Sequence, residues 1–306
     1  MAGLKELRTR IESIKSTQKI TSAMKLVAAA RLRRAQGLIG KSAFYSNNIL
    51  AAAARVLYEI RQEETEKNIQ YVYPELMRGN GGRDVYLLLV LTSDRGLCGS
   101  YNSSVARAAA ARIEALKAEG KKVMVLCLGR KGRDLLKKHY ADLIVKTVDG
   151  LAKKGAKYYE AADIAEIVMD MFVQKQINVC EVVYSKFKSA ISRDICAEQI
   201  LPVKIENFEY NKVHAPTNVV RGAFYDYLPG KAELLAGLLP LVFRGSLFQA
   251  IVQSQASEHG ARMTSMDNAT RNASDMISRL TLRYNRIRQT AITTELIEII
   301  SGSEAL

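Results

Sequence analysis

The sequence has no tryptophan and few cysteines, histidines or prolines: four, three and five among 306 residues. The four cysteines form neither a CxxC pair nor a regular framework, which argues against a disulfide scaffold and favours a reducing compartment. Cys127 and Cys180 stand in apolar runs, so we expect buried, unreactive thiols. The histidines are too scattered along the chain to suggest a zinc site, and we predict no bound metal.

Long apolar runs are missing as well. The longest notable one, Leu234 to Phe243, has ten residues and includes Gly237 and Pro240. A helix that spans a membrane needs about 20 apolar residues. Charged residues recur every few positions from Lys5 onward, which argues against a secretory signal. We therefore predict neither a membrane span nor a signal peptide.

Positive charge is abundant and unevenly placed. The chain has 45 lysines and arginines against 31 aspartates and glutamates, and residues 1–41 alone hold ten basic and two acidic side chains. Basic surfaces attract phosphate, anionic lipid or acidic protein. The N-terminal charge is compatible with a nucleic-acid contact, a solvated face or a surface for an acidic partner. No zinc finger or aromatic RNA-binding motif accompanies it.

The N-terminal segment is predicted to form one long helix. Residues 4–36 contain neither glycine nor proline. Their apolar residues begin with the 3-4-3 spacing of a coiled coil, at Leu4, Leu7, Ile11 and Ile14. The next positions of that register are polar: Gln18, Thr21 and Lys25. The apolar stripe moves to another face, at Ile20, Met24 and Val27, so we expect this helix to face different surroundings along its length.

The C-terminal segment carries a longer repeat. Residues 261–301 contain neither glycine nor proline and are bounded by Gly260 and Gly302. One heptad register runs through positions that are all apolar except one threonine: Met266, Thr270, Ala273, Ile277, Leu280, Tyr284, Ile287 and Ala291. Because such a helix cannot bury its stripe alone, we predict that it pairs with the N-terminal helix in an antiparallel coiled coil.

The middle of the chain alternates apolar strands with helices. Strands are predicted at 85–92, 122–128, 144–148, 179–187 and 195–205, with helices at 102–119, after 129, and at 158–175. This order is typical of a Rossmann-like, mostly parallel sheet with flanking helices. The predicted fold class is α/β plus a long antiparallel coiled coil. Its domains are an N-terminal coiled-coil helix over 1–60, a linker over 61–83, a central α/β domain over 84–210, and a linker and long C-terminal helix over 211–306.

The loop Ser93–Asn102 follows the first strand and precedes a helix, where α/β folds bind nucleotides. It contains neither GxGxxG nor GxxxxGK[ST]. Cys98 is a candidate nucleophile, but no histidine is near it in sequence to activate it. A tight turn or an interface loop is favoured over a nucleotide or catalytic site, with Gly96 and Gly99 supplying unusual dihedral angles. The predicted structural or interface residues are Asp94, Arg95, Gly96, Cys98 and Gly99.

Three long blocks of the sequence match one family. They are RIESIKSTQKITSAMKLVAAARLRRAQ over 10–36, TSDRGLCGSYN over 92–102, and SEHGARMTSMDNATRNASDMISRLTLRYNRIRQTAITTELIEIISGSEAL over 257–306. In this order, and over nearly the whole chain, they resemble the N-terminal helix, the central motif and the C-terminal helix of the gamma subunit of F-type ATP synthases.

The resemblance implies a non-catalytic central-stalk subunit, present once per complex and without a cofactor. Its terminal helices would form a coiled coil inside the alpha–beta hexamer, and its α/β domain would lie against the epsilon subunit and the membrane c-ring. Proton flow would turn the ring and this rotor, which would transmit torque to the catalytic beta subunits for ATP synthesis. The family's contacts with the beta subunits carry over to the matching positions Met24, Lys25, Arg288, Gln289, Thr293 and Glu298.

Two rival hypotheses belong to other functional classes. A basic coiled-coil protein that binds nucleic acid would show steep salt dependence of binding, and an enzyme using the Gly96–Gly99 loop would bind nucleotide by itself. The resemblance leads us to expect no nucleic-acid partner. It implies a peripheral position on the cytoplasmic face of the bacterial inner membrane, with the matrix side of the mitochondrial inner membrane as the alternative.

Overall fold

The computed structural model describes residues 2–68, 70–151, 153, 155–205 and 227–304. The chain divides into two compact units. The helical unit combines Met1–Ala30 with Arg262–Leu306, and the α/β unit is Arg31–Ala261. Two long helices contribute to both units: α1, Ala2–Lys67, and α6, Lys231–Glu304.

The α/β unit contains a five-stranded sheet in the order β3-β2-β1-β4-β5. Its strands are β1 (Val85–Leu91), β2 (Lys122–Leu128), β3 (Ile144–Val148), β4 (Val179–Phe187) and β5 (Arg193–Leu201). The first four strands are parallel, and β5 is antiparallel to β4. The shorter helices are α2 (Glu75–Arg78), α3 (Tyr101–Ala118), α4 (Arg130–Tyr140) and α5 (Tyr158–Val173). The predicted mostly parallel sheet with flanking helices is confirmed.

The central strand β1 divides its side chains between two apolar layers. Leu87 and Leu89 belong to a core that also contains residues of α1, α5 and α6. Leu88 and Val90 belong to a second core, shared with α3 and Leu136 of α4. Alternate residues of a strand point to opposite faces of the sheet, so a strand covered on both faces must be apolar throughout. The continuous apolar run of β1 is the consequence.

The end of α1 lies within the segment 61–83, which the sequence predicts to be a linker. A charged cluster stabilises this last turn and ties it to the start of α6. The carboxylate of Glu63 accepts a hydrogen bond from the hydroxyl of Tyr71 at 2.6 Å. It also forms an ion pair with the ammonium group of Lys231 at 3.0 Å. The Tyr71 hydroxyl, followed by Lys231, lowers the pKa of Glu63 to about 2.

The helix α6 begins at Lys231, 29 residues before the predicted boundary at Gly260. It passes through Pro240 and Gly260 because its first half is held by burial, with Leu239 and Phe243 fully buried in the core of the α/β unit. Gly260 allows α6 to lie close to the backbone of Ala190, since a Cβ atom at Gly260 would lie 3.1 Å from the carbonyl oxygen of Ala190. The predicted linker at 211–230 falls, up to residue 226, outside the described residues.

By length and composition alone, one helix of the described chain, Lys231–Ser301, is long and apolar enough to cross a membrane. More than half of its most apolar window is buried inside the protein. Core helices of soluble proteins pass the same test, so this helix is weak evidence for a membrane span.

Gly129 joins β2 to α4 in a conformation that only glycine adopts readily. Its φ is +115°, and a Cβ atom there would lie 2.3 Å from the carbonyl oxygen of Thr92. We predict that Gly129→Ala lowers the free energy of unfolding by about 3 kcal/mol or more, because left-handed strain alone costs about 1–3 kcal/mol and the Thr92 backbone must also move.

The matched control for this prediction is Gly120→Ala. Gly120 has φ +73°, but a Cβ atom there would have no neighbour within 4 Å. Only the conformational cost, about 1 kcal/mol, then applies. Urea unfolding of both variants measures the difference, and equal losses would show that the approach to Thr92 is unimportant.

Candidate functional site

The helical unit contains the predicted coiled coil, and two polar contacts fix its direction. The ammonium group of Lys25 donates to Oδ1 of Asp267 at 2.5 Å, and the hydroxyl of Thr270 donates to that of Thr21 at 2.8 Å. Residue numbers fall along α1 as they rise along α6. The two helices therefore run antiparallel, as predicted.

The predicted heptad register of α6 agrees with the pattern of burial. Met266 and Ala273 are buried, and the other positions of the register are partly buried apart from Ile287, which is 37% exposed. The period of 3.5 residues thus identifies the side of α6 that packs in the helical unit.

In α1 the inward-facing register continues through its polar positions. Gln18, Thr21 and Lys25 are partly buried, whereas Ile20 and Val27 are 57% and 54% exposed. Of the predicted second stripe, Ile20 and Val27 therefore face away from the seam with α6, whereas Met24 is partly buried. Ile20 and Val27 are available to a surface outside this chain.

Asp267 receives two cations. Lys25 approaches from α1, and Arg271 approaches from the next turn of α6. These partners, Lys25 first, hold the pKa of Asp267 below its ordinary value of 3.8. A polar layer of this kind fixes the register of a coiled coil, because any shift leaves its partners unmatched.

The C-terminal end of α6 extends beyond its partner. Both helices rise by the same length per residue, so continuing the register set by Lys25 and Asp267 brings the start of α1 level with about residue 290 of α6. Large apolar side chains beyond this point are 49–67% exposed: Ile292, Leu296, Ile297, Ile299 and Ile300. Exposed apolar clusters of this kind mark interaction surfaces.

The residues predicted to contact beta subunits form two separate groups in the helical unit. Met24 and Lys25 lie in the polar part of the seam, where both are partly buried. The second group begins 21 residues beyond Asp267 along α6, roughly 30 Å away at 1.5 Å per residue. Its exposed members are Arg288, Gln289 and Thr293. Glu298 also belongs to α6, but its side chain lies outside the described residues.

The loop after β1 is held together by Asp94 in the α/β unit. One oxygen of its carboxylate accepts the backbone N–H of Arg130 at 3.1 Å, and the other accepts that of Gly150 at 2.9 Å. Arg130 is the first residue of α4, whose N-terminal amides attract anions. The protein's own carboxylate therefore occupies the place where a ligand phosphate would bind in many α/β folds.

Asn102 closes the other half of the loop. Its side chain accepts the N–H of Ser93 at 3.0 Å and donates to the sulfur of Cys98 at 3.2 Å. Cys98 is 1% exposed, so its thiol has no access to a substrate. Arg95, in the same loop, is exposed.

The predicted use of glycine in this loop is correct for one position and wrong for the other. Gly99 has φ +56°, but the second left-handed residue is Leu97, at φ +63°, and not Gly96. Leu97 is 62% exposed, so its side chain does not determine this conformation through packing. The hydrogen bonds of Asp94 and Asn102 hold the loop around it.

The helix α6 covers the carboxyl ends of the strands, which in open α/β sheets form the ligand crevice. Its Ser254 hydroxyl lies 2.6 Å from that of Tyr101, and Ser257 donates to the carbonyl of Ser185 at 2.9 Å. The side-chain oxygen of Gln255 accepts the N–H of Ala156 at 3.1 Å. Among the described residues, no group of three or more side chains suited to a metal ion is found. The arrangement is a structural joint between α6 and the sheet.

The sequence analysis missed two features of these sites, although each corresponds to a recognisable polar interruption of an apolar pattern in the sequence. Thr21 and Lys25 interrupt the α1 heptads, and Thr270 interrupts those of α6, so the polar positions match each other across the seam. The polar run at 253–259 interrupts an otherwise apolar half of α6. Such a run marks buried hydrogen bonds.

Comparisons with known proteins agree on one family. Residues 3–306 match the family described as ATP synthase. The ATP synthase gamma chains of Paramagnetospirillum magneticum and Rhodospirillum rubrum are each 43% identical to this chain, with complete coverage of both partners in each comparison.

Solved structures share the fold. A chain of the mitochondrial ATP synthase of Euglena gracilis (OSCP/F1/c-ring) is 18% identical with a TM-score of 0.63, over 99% of this chain and 94% of that one. A chain from the central stalk and c-ring of the Tetrahymena thermophila enzyme is 24% identical with a TM-score of 0.57, over 82% of this chain and 99% of that one.

The contact between Lys25 and Asp267 can be tested by exchanging the charges. We expect Lys25→Asp to lower the melting temperature of the chain, since it places two carboxylates together. The double variant Lys25→Asp, Asp267→Lys should recover most of the loss. The control pair, Arg8 and Glu12, lies within one turn of α1 with side chains 74% and 65% exposed, so reversing it should change little.

The pH dependence of this contact follows from the lowered pKa of Asp267. Its folded-state pKa lies below the unfolded value, so its contribution is present above the ordinary value of 3.8 and disappears as pH falls through the folded pKa. The recovery by the double variant should therefore be observed at neutral pH. No recovery there would contradict the proposed role of the pair.

Proposed function

This chain belongs to the ATP synthase gamma family, and we propose that it is the central-stalk rotor that transmits torque to the catalytic beta subunits. The observation that carries the proposal is the antiparallel seam of the helical unit, with its polar register contacts and its exposed apolar end. A shaft must resist bending and twisting, and two helices joined along a seam do so better than one.

The exposed end of α6 suits a rotating contact. The apolar side chains beyond residue 290 of α6 are spread over several turns, in the part of the helix that extends past the start of α1. A surrounding sleeve of subunits would cover them through shallow, exchangeable contacts. Switching the beta subunits between states requires only that the rotor bind those states with different affinities.

The α/β unit supports a non-catalytic role for this chain. Asp94 fills the anion position at the start of α4, and Cys98 is buried. In this proposal ATP forms on the beta subunits, and the α/β unit serves as a rigid body through which torque enters the shaft.

The proposed partners are the alpha and beta subunits, the epsilon subunit and the membrane c-ring, with one copy of this chain per complex. The excess of basic side chains in residues 1–41 suits acidic loops of the beta subunits. The proposed location is peripheral, on the cytoplasmic face of the bacterial inner membrane, with the mitochondrial matrix side as the alternative.

Reconstitution tests this function. Mixed with cognate alpha and beta subunits, the full chain should join the hexamer at one copy per three beta subunits and support ATP hydrolysis, whereas the chain alone should hydrolyse none. Failure to join the hexamer, together with binding of nucleic acid by the isolated chain, would favour the nucleic-acid hypothesis instead.

Met24 provides a sharper test, because it lies beside Lys25 in α1 and is only partly buried. We predict that Met24→Lys impairs ATP synthesis driven by a proton gradient. A new hydrogen bond from its charge to an acidic beta loop would be worth about 1.5–3 kcal/mol, enough to bias one beta state roughly tenfold or more. The control Met24→Gln keeps the size without the charge and should retain coupling. Unchanged synthesis in the lysine variant would contradict the prediction.

A further inference from the structure

Two neighbouring cavities in the α/β unit have no role in the proposed torque transmission. The first, of about 250 Å³, lies over the carboxyl ends of β1 and β2. The second, of about 290 Å³, extends toward α1. They share four lining residues: Arg31, Lys153, Gln255 and His259. Shared walls make them parts of one cleft, called the basic cleft below.

The mouth of the basic cleft is positively charged. Four cations line it: Arg31, Arg34, Arg95 and Lys153. The two carboxylates among its lining residues already have partners within the protein. Asp94 accepts two backbone N–H groups, and Glu258 has an interaction of its own. Arg95 also has an interaction of its own. With four cations and two carboxylates, the lining carries a net positive charge.

The wall of the basic cleft is buried and polar. Gln255 and His259 are 9% and 6% exposed, and they lie on α6 beside Ser254, which is 4% exposed. All three side chains have partners within the protein: Ser254 lies 2.6 Å from the hydroxyl of Tyr101, Gln255 accepts the N–H of Ala156, and His259 has an interaction of its own. A fixed polar wall beside four cations suits an anion with hydrogen-bonding oxygens better than an apolar ligand.

We propose that the basic cleft binds a small phosphate-type anion, either inorganic phosphate or the phosphoryl end of a nucleotide. Arginine presents a planar fork that matches phosphate oxygens, and lysine contributes a point charge. The bound anion would join Arg31 of α1, His259 of α6 and Lys153 of the loop after β3. It would thereby brace the α/β unit around its two long helices.

The size of the basic cleft favours a small anion over an acidic protein loop. Its two cavities, of about 250 and 290 Å³, each lie just below the range of small-molecule sites, about 300–1,000 Å³. The anion would not occupy the helix N-terminus used in many α/β folds, because Asp94 already accepts the first N–H of α4. This site is independent of torque transmission, and either proposal can fail alone.

Calorimetric titration of the full chain with inorganic phosphate, at constant ionic strength set with chloride, tests the site. We expect saturable binding of one phosphate per chain. The variant Arg31→Gln, Lys153→Gln should weaken that binding at least tenfold. The control Lys137→Gln, Lys138→Gln removes the same charge from exposed positions of α4 outside the cleft and should bind as the unaltered chain does.

Further titrations distinguish the source of the anion. Tighter binding of ATP without magnesium than of phosphate, with the same dependence on Arg31 and Lys153, would identify a nucleotide phosphoryl group. Equal or weaker binding of ATP would identify free phosphate. The proposal is overturned by absence of saturable phosphate binding, by equal weakening in both double variants, or by an acidic peptide that binds the cleft while phosphate does not.

Discussion

The apolar side chains of the 74-residue helix α6 have to be removed from water, and the surface that buries them differs along the helix. The first half buries Leu239 and Phe243 in the core of the α/β unit. In the helical unit, Met266 and Ala273 are buried on the predicted seam. The last turns extend past the start of α1, and their isoleucines are exposed. Unsatisfied apolar surface on an otherwise folded chain indicates that another surface completes it.

The polar groups in the seam fix the register of the two helices, whereas the apolar groups supply hydrophobic stabilisation. Burying Thr21, Lys25 and Asp267 in place of leucines gives up some hydrophobic stabilisation, but it makes any other register unfavourable. A coiled coil of alanines and leucines alone could slip by a heptad with little penalty. A fixed register keeps the outer side chains of the two helices in a constant relation to each other, which the proposed role as a shaft requires.

The accuracy of the sequence-based predictions depended on the range of the determining interactions. The α6 heptads and the apolar strands were predictable because each is a local period. The start of α6 was not predictable, since burial of Leu239 and Phe243 outweighs the local effects of Pro240 and Gly260. The anchoring of Asp94 was also out of reach, because its hydrogen-bond donors are backbone groups 36 and 56 residues away.

In the proposed function, the α/β unit uses a nucleotide-binding type of sheet as a mechanical part. Fold does not determine function, because function resides in the groups at the carboxyl edge of the sheet. At that edge Asp94 satisfies the first amide of α4, the hydroxyl of Tyr101 lies against that of Ser254, and Ser257 bonds to β4. Each of these contacts fastens α6 or a loop to the sheet. The carboxyl edge thus combines a joint for α6 with the basic cleft, where Asp94 occupies the start of α4 and the cations Arg31, Arg34 and Lys153 remain the groups that an anion would meet.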